Sequence, residues 1–207
     1  MKTRIKICGI TRPEDGQVAA RLGADAIGLV FYAPSPRALD AARGREIIAA
    51  LPPFVMPVGL FVNATEQAVE AVLKVCGITA LQFHGDETPA FCASFGRPYL
   101  KAIRVRPGVD LLEYAASFTG AAGYLFDAYS DNLYGGTGEA FDWDLIPRNL
   151  HKPLVLSGGL NPGNVGEAVR RVRPWAVDVS SGVESAKGIK DEQLMAAFIA
   201  GVRNADV

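Results

Sequence analysis

A cysteine ends the β-branched run Arg4-Ile-Lys-Ile-Cys8, and an aspartate ends the apolar run Tyr124-Leu-Phe-Asp127. A thiol and a carboxyl group at strand ends suit general acid–base chemistry, where each contributes roughly 10²–10⁴-fold once its proton affinity is tuned toward operating pH. Strand alternation puts Cys8, Lys6 and Arg4 on one face and Ile5 and Ile7 on the other. The charged face marks a site and the apolar face the side on which helices pack. A cysteine on an apolar strand is also a common inert core residue. The place of Cys8 at the strand end, beside Lys6, favours function.

Two glycine segments, Ser157-Gly158-Gly159-Leu160 and Asp178-Val-Ser180-Ser181-Gly182, each follow an apolar run. Glycines let the backbone approach an anion, and free N–H groups at a loop or helix start supply donors. Tight turns alone would explain either segment, whereas the pair together points to a phosphate. Arg37 ends the loop Tyr32-Ala-Pro-Ser-Pro-Arg37, which its prolines stiffen. Its planar fork suits a carboxylate, the alternative being a solvated surface arginine. Asp178 is in phase with Ser180 and either contacts a ligand or pairs with Lys6. His84 reads as a hydrogen-bonding loop residue, because no second His or Cys stands at ligand spacing and a metal site is not expected. His151 reads as surface, and Cys76 and Cys92 as small buried hydrophobes.

Positioning these groups takes strands. Apolar runs near 26–31, 56–61, 79–83, 99–105, 124–127, 153–156 and 175–179 follow the first strand. Capped or amphipathic helical stretches follow them at 13–22, 41–51, 66–75, 89–95, 110–117, 142–149, 165–172 and 191–205. Eight strand-then-helix units of roughly 26 residues predict a single (β/α)8 TIM barrel over 1–207, with parallel strands and outer helices. An open doubly wound sheet is the alternative, but it gathers its site at one switch point, whereas here polar and Gly-rich residues follow nearly every strand. The long Gly-rich loop 128–140 is a further candidate for function.

Apolar residues make up 49% and charged residues 21% of the 207, which argues against disorder and against a disulfide scaffold. The net charge of −1 removes the electrostatic basis for nucleic-acid binding while leaving room for a small anionic ligand. No stretch approaches membrane-helix length, so a cytoplasmic protein with three free thiols is expected.

Taken together, Lys6-Ile-Cys-Gly-Ile-Thr11, Ser35-Pro-Arg37, Gly59-Leu-Phe-Val-Asn63, Gln82-Phe-His-Gly85, Phe126-Asp127, Gly135-Gly-Thr-Gly138 with Phe141-Asp-Trp143, Ser157-Gly-Gly-Leu-Asn-Pro162 and Asp178-Val-Ser-Ser-Gly-Val-Glu184 resemble the phosphoribosylanthranilate isomerases. The likeness spans essentially the whole chain in order, with Phe83 standing where the family more often has an aliphatic residue. It implies an Amadori rearrangement of N-(5-phosphoribosyl)anthranilate in tryptophan biosynthesis, with neither metal nor organic cofactor. By resemblance Asp127 is the general acid and Cys8 the general base. Arg37 holds the anthranilate carboxylate. Gly158, Gly159, Ser180, Ser181 and Gly182 hold the phosphate, and His84 and Asp178 contact the substrate. Lys6 or a backbone donor is expected to lower the Cys8 thiol, and the loop at Gly135–Gly138 to close over the site. The partner implied is a phosphorylated aminosugar, with no nucleic acid and no membrane, and the family suggests a monomer, with a homodimer as alternative. Another phosphosugar barrel, or a catalytically silent phosphate-binding barrel, is the competing reading. The silent barrel would have no need for both Cys8 and Asp127.

Overall fold

The computed structural model describes residues 2–105, 108–128 and 142–206. Eight parallel strands close into a barrel in sequence order: β1 (Arg4–Cys8), β2 (Ala26–Val30), β3 (Met56–Phe61), β4 (Ala80–Phe83), β5 (Tyr99–Val105), β6 (Gly123–Ala128), β7 (Leu154–Leu156) and β8 (Ala176–Val179). Closure comes from β1 pairing with β8, in a register that sets Lys6 opposite Asp178. The open-sheet alternative is thereby excluded.

Helices cover the outside: α1 (Pro13–Leu22), α2 (Ala41–Ala49), α3 (Glu66–Cys76), α4 (Pro89–Ala93), α5 (Leu111–Ser117), α6 (Val165–Val172) and α7 (Glu192–Ala205). Their starts follow from capping chemistry. Asp40, Thr65, Thr88, Asp110 and Asp191 each accept a hydrogen bond from a backbone N–H in the first turn that would otherwise lack a partner. Pro13 and Pro89 sit where a missing N–H costs nothing. The stretch expected to be a helix at 142–149 is only a 3₁₀ turn, Trp143–Leu145. Pro147 forces Ile146 into extended backbone and so ends the helical run.

Outward-facing strand residues such as Ile5, Ile7, Ile27, Leu29, Phe83 and Val177 form the main core with the helices. Phe83 packs there against Phe61, Phe91, Phe95 and Tyr99, so its bulk fills the helix-side layer and does not reach the site. Inside the barrel a smaller apolar plug, Leu100, Ala102, Leu125, Val155 and Ala176, closes the lower half. The carboxyl ends of the strands are thus left as the mouth, where barrel sites are built. After β8 comes a short hairpin that the sequence reading missed, β9 (Glu184–Ala186) and β10 (Ile189–Lys190). No helix among the described residues is long and apolar enough to cross a membrane.

Candidate active site

The thiol of Cys8 sits at the end of β1 and is 5% exposed. Gly28, its register partner on β2, makes room for it: a Cβ there would stand 2.6 Å from Cys8 Sγ and 3.0 Å from Lys6 Nζ. One turn of the pleat below, the buried Lys6 Nζ donates to Asp178 Oδ1 at 2.7 Å, across the β1–β8 closure. Burial alone would lower the Lys6 ammonium, but the Asp178 charge outweighs it and holds the lysine protonated. The same burial raises the thiol above its ordinary value. Lys6 and Lys190 pull the thiol down but do not prevail, so the expected lowering of Cys8 is corrected. In the free site Cys8 is a protonated thiol.

Asp127 is the last residue but one of β6 and is 4% exposed, with Oδ1 accepting from the Ala128 amide at 2.9 Å. Its Oδ2 lies 3.1 Å from Nε2 of buried His84, off the line of a good hydrogen bond. His84 Nδ1 is 3.2 Å from Gln82 Nε2. With the amide donating to Nδ1, the ring carries its proton on Nε2, toward Asp127. Gln82 is fully buried, and its Oε1 has no partner among the described residues. The sequence reading placed Gln82 within a motif but gave it no role. The one available signal was a glutamine inside an apolar strand, two residues before His84 on the same face.

The glycine segments abut each other. Gly158 and Gly159 both adopt left-handed backbone, at φ 84° and 64°. A Cβ on Gly158 would meet the Ala128 amide at 2.5 Å, and one on Gly182 would run into the Leu160 carbonyl. Gly158 and Gly182 are therefore required for packing in any case. Among the described residues nothing accepts from the amides of Gly158, Gly159, Ser181 or Gly182, which leaves a cluster of backbone donors for an anion. Ser157 Oγ reaches Asp178 Oδ2 at 3.3 Å.

Arg37 is only 8% exposed, so the alternative of a solvated surface arginine does not hold. Its Nε and Nη2 donate to the two oxygens of Glu184, both at 2.7 Å, and this pairing raises the guanidinium further. Burial would raise Glu184, but Arg37 and Lys190 outweigh it and hold the carboxylate below its ordinary range.

Cys8, Arg37, Gln82, His84, Asp127, Ser157, Asp178 and Ser180 line one cavity at the mouth. The larger clefts, about 600 and 650 Å³, lie at the other end of the barrel around Trp143 and Trp175, away from both thiol and acid. The glycine loop at 135–138 lies outside the described residues. Among those described, no three His, Cys, Asp or Glu side chains converge as metal ligands.

Comparison with known proteins agrees with this fold. The family model described as "N-(5'phosphoribosyl)anthranilate (PRA) isomerase" matches residues 5–201. N-(5'-phosphoribosyl)anthranilate isomerase of Dechloromonas aromatica is 59% identical over 206 residues, covering 100% of this chain and 99% of its own. The crystal structure of phosphoribosyl anthranilate isomerase from Thermotoga maritima superposes with TM-score 0.88 at 39% identity, covering 98% of this chain and 99% of that one. A further isomerase structure, in complex with reduced 1-(o-carboxyphenylamino)-1-deoxyribulose 5-phosphate, gives TM-score 0.81 at 37% identity, covering 98% and 99%. A closed barrel with an acid and a thiol at its mouth, matched along its length, belongs to the phosphoribosylanthranilate isomerase family, and this chain is an isomerase.

Proposed function

We propose that Asp127 and Cys8 carry out the Amadori rearrangement of N-(5-phosphoribosyl)anthranilate as general acid and general base. Asp127 delivers its proton to the furanose ring oxygen as the C1–O bond breaks, and the sugar opens to an iminium. Cys8 then takes the proton from C2, leaving an enolamine that tautomerises to the ketone. Substrate and product are isomers, so the stoichiometry needs no cofactor. A raised thiol is a poor base in the empty site. The iminium adds a positive charge beside Sγ to that of Lys6, favouring the thiolate at the step that uses it.

Arg37 keeps its Nη1 edge for the anthranilate carboxylate. The free amides of Gly158, Gly159, Ser181 and Gly182, with Ser180, hold the phosphate. Asp178 and His84 face the ribose between them, and Gln82 Oε1 offers an acceptor to a hydroxyl. Anchoring both anionic ends turns binding energy into orientation of the sugar between acid and base. The observation that carries the reading is the meeting of a buried thiol and a buried carboxyl group in one cavity with the Arg37 fork.

The test is turnover of freshly generated phosphoribosylanthranilate in EDTA by wild type, Cys8→Ala and Asp127→Ala. Each variant is expected to stay folded and lose roughly 10²-fold or more in kcat. A folded variant with near-full activity would remove that residue from its role. A wild type that binds the sugar phosphate without converting it would leave the silent barrel.

A further inference from the structure

Glu184 and Lys190 exchange no proton with the substrate, yet the fold buries both side chains beside Arg37. Lys190 Nζ lies 2.8 Å from Glu184 Oε1 and 3.0 Å from the Ser180 carbonyl oxygen, with no side-chain exposure. The hairpin that carries them does not exist for apolar packing, since Ser185, Ala186, Lys187 and Ile189 are all exposed. It is pinned through its backbone: the Lys190 amide donates to Asp15 Oδ2 at 3.1 Å, and the Thr11 hydroxyl donates to the Gly188 carbonyl. Those anchors leave Glu184 paired with the guanidinium and Lys190 paired with Glu184. The loop after β1 is shaped around the same pose, because a Cβ on Gly9 would stand 2.4 Å from Arg37 Cδ.

Holding an arginine with a carboxylate raises an electrostatic problem. The two-pronged contact fixes the guanidinium plane and occupies Nε and one Nη2 proton, leaving the Nη1 edge for a ligand. It also cancels the positive charge that should attract an anion. Burial holds the Lys190 ammonium below its ordinary value, with Glu184 opposing. While protonated, Lys190 restores that charge, the three buried groups together carrying one net positive charge beside Arg37. We infer that Glu184 and Lys190 are positioning residues for recognition of an aryl carboxylate, Glu184 fixing the fork and Lys190 keeping the cluster cationic. This rests on the reading of Arg37 as the carboxylate clamp.

The experiment compares kinetics on phosphoribosylanthranilate and on the same sugar phosphate bearing aniline, which lacks the carboxylate. Glu184→Gln and Lys190→Met are each expected to raise KM for the anthranilate substrate about tenfold, with kcat changed less than about threefold and the aniline substrate little affected. Because both act through the guanidinium, adding Glu184→Gln to Arg37→Ala is expected to cost nothing beyond Arg37→Ala. Equal loss toward both substrates, by misfolding or by distortion of the mouth, makes the pair structural and overturns the inference. So does additivity in the double variant. A wild type that converts neither substrate overturns the proposed function and this inference with it. A wild type that converts both, with variants that do not discriminate, overturns the inference alone.

Discussion

At Cys8 two influences compete, and their balance sets the acid–base behaviour of the site. Burial raises the thiol, while Lys6 is the largest of the groups that lower it. Replacing Lys6 by Met removes that charge and leaves Asp178 without its 2.7 Å partner, and both changes disfavour the thiolate. Thiolate absorbance titrated in Lys6→Met is therefore expected to show Cys8 pushed further above its wild-type value. A Cys8→Ala baseline subtracts Cys76 and Cys92, which burial pushes up to about 11 and, with Lys101 opposing, to about 12. An unchanged or lower value would mean that Lys6 serves Asp178 only. Cys8, Asp127 and the glycines could be read from the sequence because such residues are conspicuous at the ends of apolar strands. The net effect on the thiol could not, since it depends on how deeply the barrel buries a charge pair. Nor could the Arg37–Glu184 contact, whose members stand 147 residues apart with no local pattern joining them.

Among the elements, β2 contributes no reacting group, but it forms the wall against which the thiol is set. Gly28 has ordinary extended backbone, so an alanine there is unstrained and its methyl collides only with what faces it across the sheet. Those neighbours are the movable ends Cys8 Sγ and Lys6 Nζ, with the Cys8 Cα at 3.1 Å. Gly28→Ala is expected to remain folded while displacing the base by a fraction of an ångström to an ångström, enough to lower kcat by roughly tenfold or more. Circular dichroism with steady-state kinetics checks this, and full activity would show slack around the thiol. The elements themselves were largely legible. Buried parallel strands announce themselves as unbroken apolar runs, and Asp or Thr caps fix the helix starts. The hairpin at Glu184–Ala186 and Ile189–Lys190 was not, because its strands are too short to show alternation and its register shifts within them. The helix expected after 142 fails at Pro147, whose effect reaches back to the residue before it.

Across the whole molecule the barrel must close, and closure falls on the two ends of the chain. β1 is the strand that carries the base, and it is also the one that completes the ring against β8. Asp206, just past α7, latches its start: the carboxylate accepts from the Thr3 amide at 3.0 and 3.1 Å and from the Thr3 hydroxyl at 2.5 Å. Arg203 donates to the Thr3 carbonyl at 2.6 Å from the same helix. Partners 203 residues apart leave no trace in local sequence, so this latch emerged only with the fold. Burial would raise Asp206, but the Thr3 hydrogen bonds and the Arg203 charge outweigh it and hold the carboxyl group below its ordinary value of 3.8. A group depressed on folding contributes stability that is fully present above its unfolded value and is lost as pH falls through the folded one. Asp206→Asn is therefore expected to melt a few degrees below wild type at neutral pH. That gap should hold down to the ordinary carboxylate range, then close as the wild-type carboxylate takes up its proton. Thermal melts of the two proteins at stepped pH read this directly. A gap that is absent at neutral pH, or that widens in acid, would mean that closure is held by β1–β8 pairing and helix packing without the latch.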